Sequence, residues 1–192
     1  MIFANPKETD IPDFSSPVNK VLTNTSKADL QSIPASVTGI CFEVGVHDIG
    51  VYNIPSNIKS VYLRNGAWVY GSLIMDSKAG VKIYGRGVLS SGKLKYRESH
   101  CIEAKNGSDR VHLEGIVVAD PKYFAVRLIG KFNVVKWVKI IGGWTYNCDG
   151  IAAFEGSNTR VIVEVLNVDK VPLNGENVRI LPSRYNIIPH ID

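Results

Sequence analysis

The chain has 192 residues, of which 45% are hydrophobic and 21% are charged, and its formal net charge is +4. This length fits one domain or at most two, and the composition is globular rather than disordered or collagen-like. The charge is mild and forms no dense basic cluster, so we expect no nucleic-acid partner. The basic residues of the central region are spread over strand and turn positions: Lys78, Lys82, Arg86, Lys93, Lys95 and Arg97.

The N-terminal region is polar and interrupted by four prolines. We expect an irregular segment over 1–37 that leads into the main domain at 38–192, with one short capped helix at 25–30. Residues 1–6 lack the basic start and long apolar middle of a signal peptide, and no apolar run reaches the ~18 residues of a membrane span. We therefore expect no membrane association and no export signal within the chain as given.

Three cysteines, Cys41, Cys101 and Cys148, lie far apart in the sequence, without a C-x-x-C motif or a histidine at ligand spacing. We expect no metal site and no cofactor. At most one disulfide can form within the chain, and buried free thiols are the commoner state for such cysteines.

Short strand-like runs dominate the chain from Gly39 onward. Aromatic and β-branched residues are plentiful and Ala-Leu-Glu-Lys runs are few, which predicts an all-β fold. One strong run per unit starts near residues 38, 60, 81, 111, 134, 161 and 178. Steps of about 20 to 30 residues are typical of solenoid repeats. The pattern predicts a short right-handed parallel β-helix of the pectin-lyase type, in which each coil buries its inward residues against the neighbouring coils.

The segment 111–118 supports this fold through its alternation. Val111 and Leu113 are predicted to face the core, while His112 and Glu114 face the solvent. Equivalent positions on successive coils of such a stack lie roughly 4.8 Å apart, so residues one coil apart in sequence become neighbours in space.

The stretch 142–151 follows a strongly β-forming run and presents Trp144, Tyr146 and Asp149. Aromatic faces stack on the apolar faces of sugar rings, and an aspartate fixed by its neighbours can transfer protons, so this combination favours a sugar site. A turn with a solvated aspartate and two core aromatics explains the same residues equally well.

A second carboxylate, Asp169, follows Asp149 by about one coil. The two side chains could therefore lie on the same flank. Inverting glycoside hydrolysis uses two carboxyl groups roughly 6.5 to 9.5 Å apart, one as proton donor and one as the base that activates water. The spacing alone is a weak indication, because aspartates 20 residues apart are common.

Several short sequence segments resemble those of a known family. They are VYLRNGAWVYGS at 61–72, GRGVLS at 85–90, LEGIVVADP at 113–121, and the stretch that ends in Asp149-Gly150-Ile151. Over roughly 39–170 the chain resembles the catalytic β-helix of glycoside hydrolase family 49, the dextranases and isopullulanases. The resemblance implies an extracellular protein that hydrolyses an α-glucan by inversion, without a metal. Any one of these segments alone would also suit polygalacturonase-like β-helices, which are the nearest alternative family.

In that family, a Trp-aromatic element that ends in Asp-Gly carries one catalytic aspartate, which Asp149 matches, with Trp144 and Tyr146 as sugar platforms. One coil later the family has Asn-Asp-Asp, where this chain has Asn167-Val168-Asp169. The resemblance thus implies catalytic roles for Asp149 and Asp169 and substrate contact by Asn167. Val168 replaces the aspartate that we take as the proton donor. We expect low or absent hydrolysis, because general acid catalysis contributes roughly 100 to 10,000-fold.

Further residues could line the same groove. Tyr96, beside Arg97 and Glu98, and Tyr123 are candidates for substrate contact, and a loop tyrosine packed on the coil is the alternative. Arg127 could reach a carboxylate of the site, although a surface arginine is the simpler interpretation. The histidines that lack triad or metal spacing are assigned no chemistry: His47, His100 and His112.

The flanks of the chain depart from the family. Its members carry a β-sandwich before the β-helix and many further coils after it, and 171–192 finds no clear match. We expect open coil ends through which the chain could self-associate. Two functions stay open: a dextranase-type hydrolase impaired by Val168, and a glucan-binding or structural solenoid without catalysis. A polygalacturonase-like, pectin-active β-helix is a further alternative.

Overall fold

A computed structural model describes residues 6–142, 146–154, 159–162, 173–174 and 179–180 of the chain. Strands dominate this part of the chain, and one short helix lies near its N-terminus. In chain order the elements are β1 (Asn19–Leu22), α1 (Lys27–Gln31), β2 (Gly39–Phe42), β3 (Gly45–Asn53), β4 (Ser60–Leu63), β5 (Ala67–Asp76), β6 (Lys82–Gly85), β7 (Val88–Ser90), β8 (Ile102–Lys105), β9 (His112–Glu114), β10 (Val117–Ala119), β11 (Val126–Ile129), β12 (Val134–Lys136), β13 (Lys139–Ile141), β14 (Ile151–Phe154), β15 (Arg160–Ile162), β16 (Leu173–Asn174) and β17 (Arg179–Ile180).

The first sheet has eight parallel strands in the order β1-β2-β4-β6-β9-β12-β15-β17. Seven of these strands begin at residues 39, 60, 82, 112, 134, 160 and 179, each within one residue of a unit start predicted from the sequence. After each of these strands except the last, β17, the chain returns to the same sheet one position further along. The predicted parallel β-helix is confirmed, with about six turns.

The second sheet forks at the long strand β5. Residues 68–70 of β5 pair with β7, which continues through β10 to β13, and we call this series the first arm. Residues 73–76 of β5 pair with β8, which continues through β11 and β14 to β16, and we call this series the second arm. Strand β3 lies alongside β5 and contributes to both arms. Each coil therefore has three sides: the first sheet, the first arm and the second arm.

The bend between the two arms of β5 lies at Gly71, whose φ is +139°. A Cβ atom at this position would overlap the backbone oxygen of Gly50 on the neighbouring coil. A side chain is therefore excluded both by the backbone conformation and by the close approach of the next coil.

The core is a column of apolar side chains stacked from coil to coil. Ile83, Leu113 and Val135 occupy paired positions on three successive strands of the first sheet, and all three are fully buried. The predicted alternation is confirmed, because Val111 is buried with Leu113 while the outward residues of β9 are half-buried. Such ladders give each coil apolar contacts above and below, which a single coil could not provide.

The N-terminal region contains the predicted helix, α1. The Asp29 carboxylate accepts hydrogen bonds from the backbone N–H of Ser26 at 2.7 Å and from its hydroxyl group at 2.8 Å, which satisfies the helix start. Leu30 of this helix is buried in the core. Strand β1 pairs in register with β2 and so forms the first strand of the first sheet. The domain boundary at residues 37/38 stays a prediction.

Within the described ranges, no helix is long and apolar enough to cross a membrane.

Candidate functional site

Three loops connect the first arm to the second arm in the middle of the β-helix. In the first two coils β3 and β5 pass from one arm to the other without interruption. In the next three coils the connections are longer and span 91–101, 120–125 and 142–150. Because stacked coils place equivalent connections above one another, these loops emerge on one edge of the β-helix. We call this edge the loop edge. Four predicted site residues of the described region lie on it: Tyr96, Tyr123, Tyr146 and Asp149.

A hydrogen bond joins the outer two of these loops. The hydroxyl group of Tyr96 donates to the backbone oxygen of Tyr146 at 2.8 Å. The two residues are 50 positions apart in sequence and belong to coils separated by one intervening coil. Both rings are exposed, Tyr96 by 50% and Tyr146 by 82%. Exposed aromatic rings held in this way can offer faces to a sugar.

The middle loop carries a stack of aromatic rings. The Tyr123 ring lies 4.1 Å from the His100 ring, centroid to centroid, with an interplanar angle of 17°. Phe124 contacts both rings, with centroids 4.8 Å from Tyr123 and 5.0 Å from His100. The Arg97 guanidinium lies 5.1 Å from the Tyr123 centroid and donates a long hydrogen bond of 3.4 Å to its hydroxyl oxygen. Tyr123 is thus packed on the coil by its neighbours, and the part of its ring left for a ligand is limited.

Asp149 lies near the end of the third loop, where it is half-buried and stands two residues before the start of β14. Its backbone oxygen accepts a hydrogen bond of 2.8 Å from the N–H of Ala125, which fixes it above the middle loop. The neighbouring Cys148 thiol donates to the backbone oxygen of Pro121 at 3.0 Å. These two contacts hold the Asp149 segment against the coil below, which limits the directions in which its side chain can point.

Register places Asp149 in a column with Phe124 and His100. Ile151 pairs with Val126, and Val126 pairs with Ile102. The residues two positions before these three are Asp149, Phe124 and His100. The column crosses three successive coils, so it runs along the axis of the β-helix and across the strands.

Each of the three loops contains one non-glycine residue with a left-handed backbone among its described positions. These residues are Arg97 with φ +61°, Asp120 with φ +49° and Asn147 with φ +59°. Asn and Asp tolerate this conformation better than most residues, whereas arginine does so at a cost. The conformations turn the chain sharply, and they persist because neighbouring coils hold the loops in place.

A cluster of charges lies below the loops, on the outer face of the second arm. Glu103 on β8 is 8% exposed, and its carboxylate accepts a hydrogen bond of 2.5 Å from the guanidinium of Arg127 on β11. Lys105 lies 3.9 Å from the same carboxylate, and the His100 ring lies 3.8 Å from it. Arg127 thus contacts the carboxylate of Glu103, which is not one of the predicted site residues, and its predicted contact with a catalytic carboxylate stays a prediction.

An open cleft of about 360 Å³ adjoins this cluster. We call it the second-arm cleft. The residues that define it are Asn53, Arg97, His100, Glu103, Lys105 and Tyr123. Sequence reasoning missed both the cleft and the part that His100 and Glu103 play in it. The available signal was a histidine three residues before a glutamate at the start of a strand, which is too common to be decisive.

Burial sets the protonation state of His100. Loss of hydration is the main cause that lowers the pKa of this imidazole to about 4, against the opposing effect of the nearby Glu103 carboxylate. His100 is therefore neutral near pH 7. Burial likewise raises the pKa of the Cys101 thiol to about 11, so this cysteine is a thiol and a poor nucleophile at neutral pH.

His47 and His112 lie away from the loop edge. His47 is buried, where one ring nitrogen accepts a hydrogen bond from the backbone N–H of Thr25 at 3.1 Å and the other donates to the Glu43 oxygen at 2.9 Å. His112 lies on the first sheet, 3.1 Å from the Glu114 carboxylate. These contacts have a structural role, in keeping with the absence of assigned chemistry.

A smaller cleft of about 200 Å³ lies on the outer face of the first sheet, beneath the N-terminal residues 6–10. Its two aromatic rings are covered by cations, since Lys82 lies 4.4 Å from the centroid of Tyr84 and Lys136 lies 3.7 Å from that of Trp137. The rings are therefore less suited to stacking on a sugar than those of the loop edge.

Cys41 and Cys101 are free and buried, and Cys148 is half-buried. In the part of the chain that the structure describes, no group of three or more His, Cys, Asp or Glu residues is arranged to hold a metal ion.

Three predicted site residues, Trp144, Asn167 and Asp169, lie outside the described residues, as does Val168. Their roles stay predictions. In the register of the second arm, Ala153 pairs with Leu173, so the coil step at this point is 20 residues, the same as the sequence separation of the two candidate catalytic aspartates.

Two known proteins share sequence similarity with most of the chain. It is 27% identical to a dextranase of Arthrobacter globiformis and 26% identical to a dextranase of Arthrobacter sp. strain CB-8, in each case over 83% of the chain. The chain is a partial, dextranase-like β-helix. It spans 30% of the length of each of these curated relatives. No protein-family model matches the chain.

A solved structure agrees with the dextranase-like fold. The protein, a provisionally assigned glycosyl hydrolase from Parabacteroides merdae, superposes with a TM-score of 0.53 at 14% sequence identity. The similarity covers 75% of this chain and 80% of the other. At this identity the match concerns the fold. Together with the dextranases, it supports a glycoside hydrolase-like β-helix.

Proposed function

We propose that the dextranase-like chain binds an α-glucan at the loop edge and that Asp149 belongs to an inverting two-carboxylate site. The observation that carries the proposal is the convergence of three successive loops, which brings Tyr96, Tyr123, Tyr146 and Asp149 to one edge of the β-helix. The similarity to two dextranases supports a polysaccharide ligand.

Asp149 would act on the base side of the reaction, together with Asp169. The backbone bond from Ala125 supports this role, because it holds the Asp149 segment in a fixed position relative to a bound chain. The 20-residue coil step at β14 supports placing the second carboxylate one coil further along the same flank. In an inverting mechanism the base side orients and deprotonates the water that attacks the anomeric carbon, while a separate acid protonates the leaving oxygen.

The proton donor is the missing group. Val168 stands where the family resemblance implies the acid, and a valine side chain cannot donate a proton. We therefore propose that hydrolysis by the present chain is slow or absent, and that Val168→Asp raises it. An increase of roughly 100-fold or more is expected if the new carboxyl group reaches the leaving oxygen.

Reducing-sugar release from dextran and from pullulan tests this proposal. The original chain, Val168→Asp, and Val168→Asp combined with Asp149→Asn should be compared at equal concentration. We expect release to rise in the single variant and to fall back in the double variant. Asp10→Asn is the matched control, because Asp10 is an aspartate on the first-sheet side of the molecule. Equal reducing-sugar release by the single variant and the double variant would contradict the role given to Asp149.

Glucan binding without cleavage is the second candidate function, and Val168 favours it, since loss of the acid removes catalysis without removing the aromatic rings. Affinity electrophoresis in gels that contain dextran measures this binding. Tyr146→Ala should reduce the retardation of the chain. Phe132→Ala is the control, because Phe132 is another exposed aromatic residue outside the loop edge. A chain that migrates equally with and without dextran, before and after Val168→Asp, would refute both functions and leave a structural solenoid.

An extracellular location and self-association through the coil ends remain part of the proposal. Sedimentation velocity of the purified chain over a tenfold range of concentration would reveal self-association as a concentration-dependent increase in sedimentation coefficient.

A further inference from the structure

We infer that the second-arm cleft is a sugar-binding subsite, in which Glu103, held in place by Arg127, recognises hydroxyl groups of a glucan unit bound one to two coils away from Asp149. The inference rests on the proposed function and adds to it a direction for the bound chain, a set of recognition residues and a preference for uncharged sugars.

The position of the cleft follows from register. His100, which lines the cleft, stands two coils before Asp149 in the column that also contains Phe124. Coils stack at roughly 4.8 Å, so the two ends of this column are about 10 Å apart. A polysaccharide that runs along the β-helix axis from Asp149 would therefore reach the cleft within a few sugar units.

Glu103 lines the cleft and forms an ion pair with Arg127 that is partly withdrawn from water. The side chains of Glu103 and Arg127 are 11% and 29% exposed, whereas the neighbouring pair of Asp76 and Lys105 is 43% and 35% exposed. Withdrawing an ion pair from water has a desolvation cost that its mutual attraction only partly offsets. The lining of the cleft provides acceptors from the Glu103 carboxylate and donors from the Arg97 guanidinium, a combination that suits the hydroxyl groups of a sugar.

His100 adds a second unusual feature. Its Nδ1 atom is buried and has no hydrogen-bond partner among the described residues. Buried polar atoms without partners are uncommon in folded proteins, and they concentrate where ligands or ordered water complete the structure. The ring stacks on Tyr123, so it also links the floor of the cleft to the loop edge.

The charge balance of the cleft selects the class of ligand. Arg97 and Lys105 provide two cations in the lining of the cleft, and Glu98 and Glu103 provide two carboxylates there. With His100 neutral, the charges nearly cancel. A neutral glucan is therefore favoured over a polyuronide, whose repeated carboxylates would require a surplus of cations. The volume of about 360 Å³ lies in the range of small-ligand sites.

Binding of isomaltohexaose and of dextran tests the inference, with polygalacturonate as the charged comparison. Glu103→Gln removes the charge of the recognition residue. Asn53→Trp fills the cleft from an exposed position two coils before Glu103 in the same column of the second arm, and it leaves the Glu103–Arg127 pair intact. It therefore remains informative if Glu103→Gln fails to fold. Glu114→Gln is the matched control, since Glu114 is a half-buried glutamate that contacts lysines on the first sheet.

We expect each cleft variant to raise the Kd for isomaltohexaose at least fivefold and to reduce dextran retardation, while Glu114→Gln leaves both unchanged. If Val168→Asp is active, adding Asn53→Trp should raise KM for dextran with little change in kcat, as expected for a group that binds substrate and transition state equally.

Unchanged affinity in both cleft variants, together with loss of affinity in Tyr146→Ala, would overturn the subsite and leave the proposed function standing. Tighter binding of polygalacturonate than of dextran would overturn the preference for a neutral glucan. Absence of binding and cleavage in every protein, including Val168→Asp, would overturn the proposed function and the subsite with it.

Discussion

The hydroxyl group of Tyr96 donates a hydrogen bond to the backbone oxygen of Tyr146, across 50 residues of sequence and over one intervening coil. This bond ties the first of the three loops to the segment that precedes Asp149. It therefore couples the placement of the candidate catalytic aspartate to a residue whose own ring is half exposed.

Tyr96→Phe removes this bond and keeps the ring. A hydrogen bond of this kind contributes roughly 0.5–1.5 kcal/mol, so we expect dextran affinity to fall by about twofold to tenfold as the loops lose their relative position. Affinity electrophoresis of the two proteins in the same gel measures the change.

Tyr52→Phe is the control for this prediction. Tyr52 is a buried residue of β3 whose hydroxyl group has no hydrogen-bond partner among the described residues. Removal of that hydroxyl group should leave dextran affinity unchanged and keep or raise the free energy of unfolding, since a buried unpaired polar group costs about 1–3 kcal/mol. Equal loss of affinity in both variants would show that the Tyr96 bond has no special role.

Leu113→Ala should destabilise the fold strongly. Leu113 is fully buried between Ile83 and Val135 in the core column, and the truncation leaves a cavity between three coils. Such changes cost about 2–5 kcal/mol of the free energy of unfolding. Urea denaturation followed by circular dichroism checks this value, and Val46→Ala, at an exposed position of β3, should change it by less than about 0.5 kcal/mol.

Gly71→Ala should prevent the close stacking of two coils. The positive φ and the overlap with the Gly50 oxygen act together, so we expect a loss of more than about 2 kcal/mol in the free energy of unfolding. Gly80→Ala is the matched control: its φ is +72°, but no atom lies within 4 Å of the added Cβ. Gly80→Ala should lower the free energy of unfolding by about 1 kcal/mol, because only the unfavourable backbone conformation of the alanine contributes and no steric overlap is added. Similar losses in the two variants would show that stacking contributes nothing at Gly71.

The stability of the fold should depend on pH through His100. The folded-state pKa of about 4 lies below the ordinary value of 6.5, so the unfolded chain binds a proton at a higher pH than the folded chain does. The contribution of His100 is fully present above about pH 6.5 and is lost as the pH falls towards 4. His100→Phe keeps an aromatic ring against Tyr123 and removes the titration.

Thermal unfolding of the two proteins at several pH values between 4 and 7 measures this effect. The Tm of the original chain should fall more steeply with decreasing pH than the Tm of His100→Phe. Parallel curves would show that His100 titrates equally in the folded and unfolded chain. Carboxylates also titrate in this range, so the difference between the two slopes is the quantity that reports on His100.

Much of the fold is predictable from the sequence because coil repetition leaves a periodic trace. The apolar runs near residues 60 and 134 mark the starts of β4 and β12, and the alternation at 111–114 identifies the faces of β9. The two arms are different, since β5 reads as one continuous run. The fork arises because one part of β5 pairs with β7 and another part pairs with β8. The sequence does not predict this fork, because the pairing of strands on different coils leaves no pattern in the local sequence.

The candidate site divides in the same way. Sequence alone determined that aromatic residues and an aspartate cluster after strand ends, that a valine stands at an expected acid position, and that the chain resembles the dextranases. Tertiary structure alone decided that Tyr96 contacts Tyr146 and that Glu103 pairs with Arg127 beside an open cleft. The physical reason is the coil step, which varies between about 19 and 30 residues along this chain. Only the hydrogen-bonded register sets which residues of successive coils meet.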